Sequence, residues 1–193
     1  MKWIVVAIVL FVIGYTLVNI YYRKPGRAFE PYADMNNRAT TVRLLSAGWQ
    51  KLPVDLSRPA EKPGLGLHAS MTRGSAGIGT ELAAAFAEKP VLLTSIDRVI
   101  AADRIARGSV YSIHFSASLG DQHLQLGRVE ALLRGQEIVL VPSLEKLPGN
   151  NLLSRWKDAD YLASLPTERL APGRYTVRLT ANGPAMQWSF EVR

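Results

Sequence analysis

From Trp3 to Tyr22 the chain reads WIVVAIVLFVIGYTLVNIYY, without a single charge, and only Thr16 and Asn19, near one end, are markedly polar. Apolar residues all round, with no helical period of polar ones, predict a helix whose solvent is lipid rather than a protein interior. At about 1.5 Å of rise per residue such a helix covers ~30 Å, the thickness of a bilayer's hydrocarbon core. A helix closes its backbone hydrogen bonds internally, as lipid demands. Trp3 at one end and Tyr21 and Tyr22 at the other match interfacial aromatic anchors, and Arg23 and Lys24 follow at headgroup level. A signal peptide has a shorter apolar core and a small-residue cleavage site, whereas this run ends in Asn-Ile-Tyr-Tyr-Arg-Lys. The reading is a retained single-pass anchor over residues 1–24.

The pattern then changes twice. Residues 25–89 read as a juxtamembrane helix and a connector. Pro25-Gly26 stops the first helix. A second helix is expected over Asp34–Leu52, capped by Asp34 or Asn36, with Val42, Leu45 and Trp49 on one face, Leu44 and Leu52 flanking, and Arg38 and Arg43 toward water or headgroups. Pro53–Thr80 is rich in proline and glycine and reads as an irregular stretch that contacts partner chains. A short helix is expected over Thr80–Glu88 with Thr80 as its cap. Gly14 offers one close-approach point for a neighbouring helix within the span.

From Pro90 to Arg193 the texture is β. Val110–Leu119 alternates, with Tyr111, Ile113, Phe115 and Ala117 on one face and Ser112, His114, Ser116 and Ser118 on the other. Gly120-Asp121 is a turn. The alternation of Leu124–Leu133 loses phase at Gly127, which predicts a bulge. Gly135-Gln136 turns the chain again. Ile138–Val141 is apolar throughout, as a central strand would be. Pro142–Asn151 reads as loop and Leu152–Leu165 as a short helix carrying Trp156 and Tyr161. Two strictly alternating stretches, Arg174–Thr180 and Ala185–Arg193, flank Asn182-Gly183, a strong hairpin signal. The expected fold is a single N-terminal transmembrane α-helix plus a mainly-β, immunoglobulin-like sandwich domain over 90–193, with one to three short helices.

Composition narrows the chemistry. The chain of 193 residues carries a formal charge of +7 and no cysteine. Thiol catalysis, thiolate metal sites and disulfides are therefore excluded. Its Lys and Arg are scattered rather than striped with aromatics, which argues against nucleic acid and favours anionic lipid or an acidic partner subunit. Gly74–Thr80, GSAGIGT, has phosphate-loop glycine spacing but lacks the lysine that meets the phosphates. It reads as a turn into a helix. His114 and His123 flank the Gly120 turn, and Asp121 is the nearest carboxylate. With no third and fourth ligand they read as surface histidines, as does His68. Asp158 and Asp160, beside Arg155 and Lys157, read as a solvated helix face. No Gly-x-Ser-x-Gly elbow or acid–base pair emerges from spacing. No cofactor or metal is expected, and no enzymatic activity.

The ending from Leu170 to Val192, LAPGRYTVRLTANGPAMQWSFEV, resembles the last two strands of bacterial immunoglobulin-like sandwiches. The layout, one span followed by a small sandwich, is similar to that of accessory proteins of bacterial haem–copper oxidases. The expectation is thus a non-catalytic accessory subunit of an integral-membrane complex, respiratory or photosynthetic in type. The alternative is a membrane-tethered module that binds a soluble ligand or carrier protein on its His/Ser face. Arg23, Lys24 and Arg27 outnumber Lys2, and the positive-inside rule would place the domain in the cytoplasm. Analogy with small β-domains on single N-terminal anchors favours the extracytoplasmic side of a bacterial inner membrane, and that is the placement expected.

Overall fold

The structure is a computed structural model that describes residues 2–22, 31–59, 69–147, 152–154 and 157–193. Within them lie α1 (Lys2–Tyr22), α2 (Pro31–Ser46), β1 (Gln50–Leu52), β2 (Asp55–Ser57), β3 (Thr72–Ala76), α3 (Thr80–Ala85), β4 (Ser95–Ala101), β5 (Arg104–Ile105), β6 (Val110–Ser118), β7 (Leu124–Arg134), β8 (Glu137–Lys146), β9 (Asp158–Pro166), β10 (Gly173–Leu179) and β11 (Pro184–Val192). The chain divides into two compact units, residues 1–36 and 37–193.

The second unit is built on two sheets. One runs β1-β7-β8-β10-β11-β3, with β5 also beside β11, and the other runs β2-β9-β6-β4. β8–β10 and β11–β5 are parallel. Alternation along the strands decides the interior. Tyr111, Ile113, Phe115, Ala117, Tyr161, Ala163 and Leu165 from one sheet meet Ala131, Ile138, Leu140, Tyr175, Val177, Leu179, Trp188 and Phe190 from the other in a single core. The Tyr111 and Phe190 rings stack with centroids 4.0 Å apart. Trp188 Nε1 donates to the Tyr111 hydroxyl at 3.0 Å, and that hydroxyl donates to the Ala102 carbonyl at 2.8 Å. The arrangement is that of a β-sandwich, mainly β as expected.

A second, smaller core covers the outer face of the larger sheet. Leu44, Trp49, Leu82, Ala85 and Leu92 pack there on Leu132, Val139 and Val141. β8 is therefore buried on both faces, Ile138 and Leu140 inward and Val139 and Val141 outward. This explains why Ile138–Val141 is apolar without alternation. β8 lies between β7 and β10, central as expected. The predicted slip at Gly127 is a register shift between Leu126 and Arg128.

Several expectations are corrected. The second helix ends at Ser46, not Leu52. The Gly48 amide donates to the Leu45 carbonyl at 3.0 Å and the Trp49 amide to the Leu44 carbonyl at 2.9 Å, with Gly48 at φ +79°. That is a Schellman stop, completed by burial of Leu44 and Trp49 in one cluster. The apolar face is also different: Leu44 is 4% exposed, while Val42 and Leu45 are 66% and 60% exposed. Pro53–Thr80 is not wholly irregular, since β2 and β3 each join a sheet edge; residues 60–68 lie outside the described residues. α3 ends at Ala85 and is preceded by Gly79, with no side-chain cap. The expected loop after Pro142 is the second half of β8, which runs to Lys146, where cross-strand pairing with β7 outweighs the proline signal. The expected helix over Leu152–Leu165 is in fact strand β9 from Asp158, with Tyr161, Ala163 and Leu165 inward at a spacing of two. Trp156 lies outside the described residues. The hairpin β10–β11 forms in the expected register of inward residues, but its tip is not a two-residue turn with positive φ. The Asn182 and Gly183 amides instead donate to the Leu93 and Thr94 carbonyls at 2.8 and 3.0 Å, which ties the tip to the neighbouring segment.

Candidate functional site

α1 matches the predicted span and is long and apolar enough to cross a membrane, a property shared with signal sequences. The two markedly polar side chains between Trp3 and Tyr22 bond within the helix. Thr16 Oγ1 donates to the Val12 carbonyl at 2.7 Å and Asn19 Nδ2 to the Tyr15 carbonyl at 2.9 Å. Each thereby hides a donor that hydrocarbon could not satisfy. Trp3 and Tyr21 are 86% and 84% exposed, at opposite ends as interfacial anchors require. The side chain of Tyr22 and the whole of Arg23 and Lys24 lie outside what the structure describes.

α2 carries two opposed faces. Leu44 faces the domain, and on the same side the Ala87 amide donates to Thr40 Oγ1 at 3.0 Å. Met35, Val42 and Leu45 point elsewhere and are exposed. The inner attachment is reinforced from β7: the Arg134 guanidinium lies 4.3 Å above the Trp49 ring and makes an ion pair with Glu81 of α3. Hydrogen bonding to Arg134 holds the Glu81 carboxyl below its ordinary range, and the same bond raises Arg134. The sequence carries a signal for this, Trp49 beside the helix stop Gly48, although apolar spacing alone predicts a helix through Leu52.

The polar face of the smaller sheet is where alternation placed it. Ser112, His114, Ser116 and Ser118 point away from the core along β6, beside Ile100 of β4 and Leu162 and Asp160 of β9. Ser116 Oγ donates to Asp160. His114 Nδ1 is buried and has no partner among the described residues. Burial lowers the His114 pKa. His123 sits in the turn before β7, with its amide donating to the Asp121 carboxylate at 2.9 Å. The two histidines do not face each other across a hairpin, because β6 and β7 belong to different sheets. Among the described residues no group of His, Asp and Glu is placed to hold a metal ion; His68 lies outside them.

The glycine-spaced stretch Gly74–Thr80 is not a phosphate cradle. Gly74, Ser75 and Ala76 are edge-strand residues of β3, and Arg178 Nη2 donates to the carbonyls of Ser75 and Gly77 at 3.1 Å each. Asp158 and Asp160 are strand residues, not a helix face. Glu130, though nearly buried on the outer side of β7, is paired with Lys51 at 2.8 Å and approached by Arg128 at 3.6 Å. Its carboxylate therefore works as a cross-strand tie between β1 and β7. No protein-family description, curated protein or solved structure matches this chain.

Proposed function

We propose that the protein is a non-catalytic, membrane-anchored accessory subunit of a larger integral-membrane complex, of respiratory or photosynthetic type, in a bacterial inner membrane. The observation that carries the reading is α1: twenty residues, Lys2 to Tyr21, of span-like composition with none of their window buried by the chain itself. That surface calls for lipid or another chain's helices. Gly14, with open space around its Cα, gives one place for a neighbouring helix to come close. The domain lies on the extracytoplasmic side in this proposal, tested by protease accessibility in intact and opened cells. Its immunoglobulin-like character is supported by Tyr175, whose hydroxyl reaches back to the Ala171 carbonyl at 3.0 Å at the start of a strand, as in a tyrosine corner. The parallel β8–β10 pair is a departure from that family's antiparallel sheets.

Extraction in mild detergent followed by native electrophoresis tests the assignment. Co-migration with other integral-membrane chains, weakened by Gly14→Leu, is expected. Migration as a lone 21.2 kDa chain in its micelle refutes it. The second reading, a tethered binding module, is favoured by one observation, the buried His114 Nδ1 on the Ser-rich face, which has no partner among the described residues. Ligand-induced shifts of the His114 ring resonances with an unchanged native-gel position would select it.

A further inference from the structure

We propose that the outward face of α2 lies on an anionic bilayer surface, as an interfacial helix between anchor and domain. The proposal rests on the reading of α1 as a retained span. Residues on a helix advance by about 100° each, so Met35, Val42 and Leu45 fall within one arc of roughly 80°, opposite Leu44. They are 65%, 66% and 60% exposed, against 4% for Leu44. Arg38 falls inside that arc and Arg43 about 80° beyond its Met35 edge, within reach of a long side chain, and neither is ion-paired with another described residue.

The mixture discriminates between occupants. The centre of a protein interface is rich in aromatic anchors, and the arc of Met35, Arg38, Val42 and Leu45 has none. An apolar arc with arginine in its middle suits a headgroup layer, where the aliphatic stems lie among acyl-chain ends and the guanidinium meets phosphate. Local charge agrees. Between Arg23 and Ser46 there are five basic residues, Arg23, Lys24, Arg27, Arg38 and Arg43, against Glu30 and Asp34. Covalent reach agrees too. Residues 23–30, between the end of α1 and the start of α2, extend to no more than roughly 30 Å. With α1 in lipid, α2 is never far from the surface.

The chain has no cysteine, so single cysteines can be placed and labelled in the full-length protein. An environment-sensitive fluorophore goes on Val42→Cys, with Val9→Cys on α1 and the exposed Val110→Cys on β6 for comparison. Each is reconstituted in phosphatidylcholine vesicles with and without phosphatidylglycerol, carrying quencher lipids labelled in the headgroup or the acyl chain. The expected result is headgroup quenching at position 42, stronger with phosphatidylglycerol, none at 110, and acyl-chain quenching at 9. In the Arg38→Gln/Arg43→Gln background the ratio of docked to free α2 falls roughly 30-fold. If position 42 stays as open to water as 110 while 9 is quenched, the proposal is overturned and the anchor reading stands. If 9 also escapes quenching, the anchor reading fails and takes the proposal with it.

Discussion

Tyr111→Phe removes one oxygen from the middle of the molecule and tests how the two sheets are held. The residue is fully buried, and its hydroxyl is the middle of a short chain: Trp188 Nε1 donates to it and it donates to the Ala102 carbonyl. Burial pushes the phenol well above the ordinary tyrosine range, so it remains a donor throughout any practical assay. Phenylalanine keeps the ring and its stack on Phe190, so the change isolates the polar part. Removing the hydroxyl orphans the indole N–H in the core. A buried donor without a partner costs about 1–3 kcal/mol, and a second lost bond adds ~1. The expected loss is about 2–4 kcal/mol, or roughly 4–16 °C in melting temperature for a unit of this size. Urea titration of the full-length protein in detergent, followed by tryptophan fluorescence and far-UV dichroism, reads it directly. The double variant Tyr111→Phe/Trp188→Phe should cost less than the sum of the single variants, because the orphaned donor has gone. A loss under ~0.5 kcal/mol for Tyr111→Phe would refute the reasoning, since an orphaned indole cannot be that cheap in a dry core.

Other expectations are as direct. Burial holds His114 below its ordinary 6.5, so the unfolded chain binds the extra proton and stability falls as pH drops through 6.5 toward the lowered folded value; His114→Gln should flatten that slope in urea midpoints. Glu81 and Glu191, lowered by bonds to Arg134 and Arg193, lose their contribution only as pH falls below 4.5, outside the same window. Leu140→Ala, at a fully buried site in the central strand, should cost about 2–5 kcal/mol by the same titration. Gly48→Ala should cost ~1–2 kcal/mol, from a φ of +79° alone. Gly120→Ala should cost more, because at φ +77° its new methyl also meets the Thr94 side chain. Equal losses at the two glycines would show that Thr94 moves aside freely.

Much of the fold was legible where one periodicity dominated. The charge-free run before Tyr22 became α1, and the alternations around Tyr111, Tyr175 and Trp188 became strands with the expected sides inward. The errors fell where two local signals competed. Leu152–Leu165 carries apolar residues that fit a loose helical spacing, yet Tyr161, Ala163 and Leu165 also fit a spacing of two, and pairing with β6 decided for the strand. Pro142 is a loop signal in the sequence, but β8 continues through it opposite Val129. At α2 the composition hides two faces that nearly cancel, Leu44 toward the domain and Val42 with Leu45 away from it. A single apolar stripe was the wrong template. Of the candidate site, the positions of Trp3 and Tyr21 at the two ends of α1 and the Ser/His face were readable. The divergence of His114 and His123 was not, because the sequence gives no sign of which sheet a strand will join.

That last point has a physical resolution in the burial of particular strands. The loops that follow β6 and β10 are similarly short, yet only β10 and β11 pair with each other; β6 and β7 part into different sheets. The difference lies in the strands. β6 alternates strictly, and one of its faces is content with water. β7 does not: Val129, Ala131 and Leu132 are all buried, and the intervening Glu130 is taken up by Lys51. A strand with apolar residues on both faces must be covered on both faces, and among the described residues it is the larger sheet that has that cover, from Leu44, Trp49, Leu82 and Leu92. β8, with its uninterrupted Ile138–Val141, goes to the same sheet for the same reason. β9, which alternates like β6, goes to the other. Sheet membership here follows whether a strand's pattern is one-sided or two-sided, and a turn such as Gly120-Asp121 only permits the crossing that the burial of β7 requires.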